Sequence, residues 1–124
     1  MRTVQRRGRG SFGIPSAREL QALAFLAREG GWRTPRDVKQ AIAALSGVQV
    51  DESSTHTMLR VLQRLELVNY HVDVLVPKRV SMHSYHITNM GMEALRRALV
   101  HYRLLVEAAT WGLRLEEKRD GDYR

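Results

Sequence analysis

Apolar residues in the first third of the chain recur three and four positions apart and predict two amphipathic helices. Ser16 and Glu19 have the spacing of a capping box, in which each side chain binds the other residue's backbone N–H. A second helix is predicted to begin at Thr34 and Pro35, because threonine caps well and proline suits the first helical position. Glycines follow each run and predict its end. The predicted helices cover about residues 17–29 and 35–46.

The third predicted helix, at about residues 53–65, has one side that carries no acidic residue. Its other side is formed by methionine, leucine and valine and is predicted to face the core. A helix surface that simply faces water usually mixes acidic and basic groups, so the missing carboxylates favour a surface that meets an anion. The residues on the acid-free side are Thr55, His56, Thr57, Arg60, Gln63 and Arg64.

The middle of the chain has the period of a β-hairpin. Apolar residues alternate with polar ones from Val68 to Val76, which predicts a strand with one buried face. Pro77-Lys78-Arg79 interrupts the alternation, and a second strand is predicted from Val80 to Ile87. These strands are expected to enclose a short basic turn.

The last part of the chain is predicted to be one long helix. Thr88 is placed to cap it, and an apolar stripe at spacings of three and four runs through about residues 89–111. The tail alternates in charge sign and is expected to fray. The fold class is therefore α+β, mainly α: a winged helix-turn-helix of three helices and a β-hairpin wing, with a long C-terminal helix. The predicted divisions are a flexible basic arm at 1–15, a winged-helix domain at 16–88, a dimerisation helix at 89–112 and a charged tail at 113–124.

Composition and charge limit the classes of function. The 124 residues include no cysteine, which excludes disulfides and thiolate metal sites and fits a cytoplasmic location. No run of 18 apolar residues exists, and no hydrophobic stretch follows the basic N-terminus, so neither a membrane span nor export is expected. The net charge is +7, and residues 1–64 hold 11 basic and 5 acidic groups against 9 and 8 in residues 65–124. This excess in the first half favours a polyanionic partner, usually nucleic acid.

The five histidines do not have the spacing of a metal site. His83 and His86 lie three apart in a predicted strand and point to opposite faces, while His56, His71 and His101 lie on different elements. No Gly-rich phosphate loop, nucleophile elbow or HExxH motif is present. We therefore expect no metal, no cofactor and no enzymatic activity.

Two segments carry a resemblance to a known family. MLRVLQRLELV (58–68) resembles the end of the recognition helix in PadR-like winged-helix regulators. YHITNMGMEAL (85–95) is similar to the family's tyrosine-x-leucine-threonine-x-x-glycine junction between wing and final helix, in which Gly91 would permit close approach of a neighbouring element. The likeness covers about residues 17–100 and extends more loosely to the MarR-like branch.

The resemblance implies that the third helix lies in the major groove of DNA. Lysines and arginines on the wing are expected to contact phosphates or the adjacent minor groove. The implied base contacts are Ser54, Thr55, His56, Thr57 and Arg60, of which Arg60 would reach guanine or phosphate. The implied backbone contacts are Arg36, Gln63, Arg64, Lys78 and Arg79. The arm residues Arg2, Arg6, Arg7 and Arg9 could lie in a minor groove, bind RNA or make no contact.

The stripe on the final helix is longer than one small domain needs to close its core. Pairing with a second copy would cover it, as in related winged-helix regulators, and core packing alone is the alternative. The residues expected at a homodimer interface are Leu95, Leu99, Tyr102, Leu105, Val106 and Ala109.

The predicted function is sequence-specific binding of double-stranded DNA as a transcription regulator, in the form of a dimeric repressor. One alternative is a winged-helix module for protein interaction or scaffolding, in which the third helix is an ordinary surface. Another is an architectural nucleic-acid-binding protein led by the Arg-Gly arm. A fold alone does not distinguish these functions, and the sequence names no small-molecule effector.

Overall fold

A computed structural model of the chain describes residues 15–122, with side chains as far as residue 118. The arm residues Arg2, Arg6, Arg7 and Arg9 lie outside the described residues. The observed order of elements is the predicted one, and the bounds of the first three helices agree with prediction to within one residue. The elements are α1 (Ala17–Glu29), α2 (Pro35–Ser46), α3 (Glu52–Arg64), β1 (Val68–Leu75), β2 (Val80–Ile87) and α4 (Asn89–Asp122).

Short-range capping explains why the first two helices begin where they do. The Ser16 N–H donates to Glu19 Oε1 at 2.9 Å, and the Glu19 N–H donates to Ser16 Oγ at 3.2 Å. Thr34 and Asp37 form the same reciprocal pair at 3.0 and 3.2 Å. Gly47 ends α2 in the left-handed conformation that glycine adopts without strain. The predicted capping box of α1 is confirmed, and α2 has one as well.

The core lies between the three helices and the inner half of the hairpin. The loop before α2 joins this layer, because the Arg33 N–H donates to the Tyr85 carbonyl at 2.9 Å and the Tyr85 N–H donates to the Arg33 carbonyl at 2.8 Å. These bonds fix the base of the hairpin against the helices. The largest fully buried side chains are Leu23, Leu26, Val38, Ile42, Leu59, Leu62, Val68 and Tyr85.

The hairpin projects away from this core. Its strands pair antiparallel from Val68 opposite Ile87 to Leu75 opposite Val80, and the tip is formed by residues 76–79. The prediction of a buried face along the whole of β1 is wrong for the outer half. Val74 is 61% exposed, because none of the helices extends as far as this part of the strand.

The junction of β2 with α4 is tight. The Thr88 hydroxyl donates to the Glu66 carbonyl at 2.7 Å and accepts from the Gly91 N–H at 2.9 Å, which confirms Thr88 as the cap of α4. A Cβ on Gly91 would lie 2.1 Å from the Leu67 carbonyl oxygen, so only glycine fits. The close approach predicted at Gly91 is therefore confirmed.

Helix α4 is longer than predicted. It has 34 residues, or about 50 Å at 1.5 Å per residue, and it continues through the segment expected to fray. The reason is local, since the tail is rich in Leu, Arg, Glu and Lys, which favour helix even without tertiary contacts. Only its first turns join the core, with Ala94, Leu95 and Ala98 buried.

Candidate nucleic-acid interface

The start of α3 is organised by Asp51. Its Oδ1 accepts hydrogen bonds from the Ser54 hydroxyl and from the Ser54 N–H, both at 2.6 Å. These two bonds lower the pKa of Asp51, which keeps the capping carboxylate charged. Ser54 is exposed as predicted, but its hydroxyl proton is committed to the cap. What remains for a ligand is the acceptor capacity of that oxygen.

Thr55 does not lie on the exposed side of α3. Its side chain is 2% exposed, and its hydroxyl donates to the Asp51 carbonyl at 2.9 Å. The prediction of a base contact by Thr55 is therefore wrong. The physical reason is its position one turn before the buried Leu59, which places both on the core side of the helix.

A row of exposed polar residues follows α3 on the side away from Leu59. Ser53, Thr57, Arg60 and Arg64 are all exposed and are separated by four, three and four positions, which is the spacing of one helix face. We call this row the α3 outer row. Ser53 was not among the sequence-predicted contacts, although its spacing from Thr57 could have identified it.

Arg60 connects the α3 outer row to the wing. Its guanidinium carbon lies 4.8 Å from the centre of the Tyr70 ring on β1. This is a cation–π distance, and a stacked guanidinium keeps its in-plane N–H donors free.

The other predicted backbone contacts have different environments. Gln63 is half-buried. Arg36 is exposed and pairs with Glu52 at 3.4 Å, a surface ion pair of the kind that contributes little to stability. Lys78 and Arg79 are exposed at the tip of the hairpin. Arg36, Lys78 and Arg79 are therefore accessible to an anion.

His56 turns toward the hairpin. Its ring centre lies 4.7 Å from that of His83 and 5.8 Å from that of Tyr85. Its Nε2 is buried and has no hydrogen-bond partner within the described part of the chain. This placement does not support the predicted base contact, because the imidazole faces the wing and not the outer side of α3.

Burial keeps this contact uncharged near neutral pH. Desolvation is the largest cause of the lowered pKa of His56, followed by the nearby His83 and Arg60. Burial also raises the pKa of the Tyr85 hydroxyl to about 12. Helix α3 and the wing therefore meet at an imidazole and a phenol, those of His56 and Tyr85, whose pKa shifts both favour the uncharged form.

The exposed part of α4 carries two apolar stripes on opposite sides. Leu95 is buried against the core, so the prediction that it lies at a dimer interface is wrong. The half-buried Tyr102 donates its hydroxyl proton to the Pro15 carbonyl at 3.1 Å. Along the first stripe lie Leu99, Tyr102, Val106, Ala109 and Leu113, with Leu105 beside it. The second stripe, which the sequence analysis missed, consists of Val100, Leu104, Ala108, Trp111 and Leu115.

The part of the chain that the structure describes carries neither a metal-binding cluster nor a membrane-spanning helix. The described side chains include no group of three His, Asp or Glu residues that could hold a metal ion. Within the same range, no helix has both the length and the apolar character needed to cross a bilayer.

Comparison with known proteins finds the fold among solved structures. No protein-family model matches the sequence, and no curated protein matches it significantly. A PadR-family transcription regulator from Clostridium difficile superposes with a TM-score of 0.67 at 12% identity, covering 79% of this chain and 99% of that one.

Two further solved structures extend this likeness. Bacillus subtilis PadR in complex with operator DNA gives a TM-score of 0.52 at 16% identity, over 64% of this chain and 47% of that one. A MarR-family protein from Lactococcus lactis gives 0.53 at 13% identity, over 77% and 58%. At these identities the likeness is one of fold, and it confirms the predicted PadR-like winged helix.

Proposed function

Since the chain has the PadR-like winged-helix fold, we propose that it is a transcription regulator that binds duplex DNA through the α3 outer row. The observation that carries this proposal is the exposure of Thr57, Arg60 and Arg64 along one side of α3. The Thr57 hydroxyl donates to the Ser53 carbonyl at 3.1 Å, so its oxygen remains to accept a hydrogen bond from a base, and arginine binds guanine O6 and N7 with two hydrogen bonds. The major groove is where such contacts distinguish all four base pairs.

Basic residues around α3 supply the contacts to the DNA backbone. Lys78 and Arg79 at the wing tip and Arg64 at the end of α3 are exposed cations suited to phosphate. Arg36 joins them if it exchanges Glu52 for a phosphate. Such contacts fix the register of the protein on the duplex without reading its sequence.

We also propose that two copies pair through the first stripe of α4, from Leu99 to Leu113. Exposed side chains such as Leu99 and Val106 would otherwise leave an apolar patch along the helix. A two-fold pair presents two recognition helices to a two-fold symmetric site. Occupying such a site in a promoter is the action of a repressor.

The test of this function is selection of bound duplexes from a random pool at physiological salt. We expect a short motif with two-fold symmetry to be enriched, since both copies read equivalent half-sites. Enrichment of no sequence over the starting pool would overturn sequence-specific regulation.

A matched pair of arginine variants sharpens the test. Arg60→Ala should weaken binding of the selected duplex about tenfold or more, because one good base contact is worth about 1–3 kcal/mol. Arg97→Ala removes another exposed charge, from α4, where Arg97 pairs with Glu93 at 3.9 Å, and should leave affinity within about twofold. Equal losses in the two variants would mean that Arg60 acts only through charge.

A protein-interaction module is the second candidate. The observation that favours it is the apolar outer half of the hairpin, where Val74 and Val76 are 61% and 80% exposed. A module of this kind predicts no preferred duplex in the same selection. An architectural protein led by the basic arm predicts instead that deleting residues 1–10 weakens binding to all duplexes alike.

A further inference from the structure

The recognition helix and the wing meet through a cluster of four rings. His56 on α3 lies against His83 and Tyr85 of β2, and Tyr70 of β1 packs on both, with ring centres 5.7 and 5.1 Å away. The Tyr70 hydroxyl and His83 Nδ1 share a hydrogen bond of 2.5 Å. We call these four residues the ring cluster.

The ring cluster also carries Arg60. Its guanidinium rests on the face of Tyr70, and the hydroxyl of the same tyrosine is held by His83. An arginine has four side-chain torsions to fix before it can bind a base with two hydrogen bonds. Because His83 holds the Tyr70 hydroxyl, the Tyr70 ring is fixed in place. A fixed ring restricts the torsions of the Arg60 side chain that rests on it.

The electrostatic surroundings of His56 make the cluster sensitive to protons. His83 and Tyr85 face it from β2, and Arg60 and Glu52 act on it from α3 itself. His56 Nε2 and the Tyr85 hydroxyl are both buried, and neither has a hydrogen-bond partner in the described part of the molecule. A proton on His56 would place a second cation beside Arg60, in a ring that also packs against His83.

The carboxylate of Glu52 offsets only part of the positive charge that a proton on His56 would add. Glu52 favours the protonated form of His56, but it is the smallest of the four influences on that group. It is also exposed and engaged by Arg36 at 3.4 Å. Desolvation, His83 and Arg60 all act in the opposite direction.

We propose that the ring cluster positions Arg60 for base recognition, and that protonation of His56 on acidification releases this arrangement and lowers the sequence preference of DNA binding. This proposal rests on the proposed function. Tyr70 and His83 are positioning residues in it, since they act on the DNA through Arg60.

The direction of the pH dependence follows from the lowered pKa of His56. The unfolded chain holds an ordinary histidine of pKa about 6.5, so on acidification it takes up protons before the folded protein does. The stability contributed by the cluster is therefore complete above about pH 6.5 and is lost as the pH falls through and below that value. Added positive charge raises affinity for every duplex alike, so the ratio of affinities for two duplexes isolates the effect on specificity.

The first experiment uses the full chain without DNA. Unfolding is measured between pH 7.5 and 5.5 for the wild type, His56→Asn and His101→Asn, of which His101 is exposed on α4 and lies outside the cluster. The wild type and His101→Asn should lose more stability on acidification than His56→Asn. Identical losses in all three proteins would overturn the proton sensitivity whether or not the chain binds DNA.

The second experiment measures affinity for the selected duplex and for a scrambled duplex at constant ionic strength over the same pH range. We expect the ratio of the two affinities to fall about tenfold in the wild type and in His101→Asn, and to stay constant in His56→Asn. A ratio independent of pH in the wild type would overturn the proposal. If no duplex is preferred at any pH, the proposed function is refuted. The first experiment then decides by itself whether the ring cluster is sensitive to protons.

A third comparison tests positioning directly. Tyr70→Phe keeps the ring beneath Arg60 but loses the hydrogen bond to His83, so it should retain more of the preference at pH 7.5 than Tyr70→Leu, which removes the ring and should lose about tenfold. Equal preference in the two variants, with both folded, would show that Arg60 does not depend on the ring.

Discussion

Thr55 and Thr57 lie two positions apart on α3 and have opposite environments. Each hydroxyl donates to the carbonyl four residues earlier, but Thr55 is buried and Thr57 is exposed on the α3 outer row. Two residues along a helix is a rotation of about 200°, so the two side chains cannot share a face. Of the polar residues along α3, therefore, only those on the outer side are available to a ligand.

The two threonines therefore differ in what their replacement does. Thr55→Val should leave the preference for the selected duplex unchanged and reduce the free energy of unfolding by about 1 kcal/mol, since a buried hydrogen bond is lost. Thr57→Val should leave stability nearly unchanged and lower the preference. Chemical denaturation and competition binding measure the two effects, and loss of preference in Thr55→Val alone would contradict the assignment.

Gly91 gives a second contrast between equivalent residues. Gly91→Ala would drive a Cβ into the Leu67 carbonyl oxygen at 2.1 Å, and we expect it to reduce stability by about 3 kcal/mol or more. Gly112→Ala meets nothing within 4 Å on α4 and should stabilise the helix by about 0.5–1 kcal/mol. Thermal unfolding of the two variants gives the sign, and similar stabilities would refute the close contact.

At the scale of single elements, the wing combines a supported base with an unsupported outer half. Backbone bonds between Arg33 and Tyr85 hold the base, and Val74 near the tip is mostly exposed. Alternation in the sequence correctly indicated two strands. It could not indicate where the covering helices stop, because strand period is a property of the strand alone.

The salt dependence of DNA binding tests the role of the wing tip. Each cation that neutralises a phosphate contributes about −0.9 to the slope of log affinity against log salt, so Arg64, Lys78 and Arg79 together predict a slope of about −2.7 per protomer. The double variant Lys78→Ala/Arg79→Ala should reduce the magnitude of that slope by about 1.8.

The control for the wing variant is Arg96→Ala/Arg97→Ala, which removes two exposed charges from α4. Its slope should match that of the wild type between 50 mM and 300 mM salt. If the wing variant also keeps the wild-type slope, the tip does not contact phosphate.

For the whole molecule, the main question is what covers α4. The helix extends well beyond the core, and its two stripes carry exposed side chains as large as Trp111 at 61% and Val106 at 62%. A helix that is apolar on two opposite sides is stable in water only when it is packed on at least one of them. This is the physical argument for a dimer, and it applies to both stripes, so the choice of the first stripe needs its own test.

Charge substitution distinguishes the two stripes. Val106→Glu places a carboxylate in the proposed interface and should give monomers at micromolar concentration, because an unpaired buried charge is strongly unfavourable. Leu104→Glu on the opposite stripe should leave the dimer intact. Equilibrium sedimentation decides between them. The reverse result would move the interface to the second stripe, and monomers in the wild type would end the dimer proposal.

Much of this protein is determined by contacts between residues close together in sequence. The pairs Ser16–Glu19 and Thr34–Asp37, the cap at Thr88 and the alternation in the hairpin involve neighbours three or four positions apart or a strand period. Such interactions operate in any surroundings, and they made the order and bounds of the elements predictable from the sequence. The predicted length of the final helix was too short. Alternating charges in its tail suggested disorder, and the high helix propensity of the same residues was not considered.

Which polar side chains remain exposed was decided only by tertiary packing. Thr55 and His56 are residue types that often bind ligands. The core covers Thr55, and the wing covers the imidazole Nε2 of His56. Leu95 likewise joins the core because the start of α4 packs against α1 and β2. Burial depends on elements that are distant in sequence and brought together by the fold, so periodicity along one helix cannot assign it.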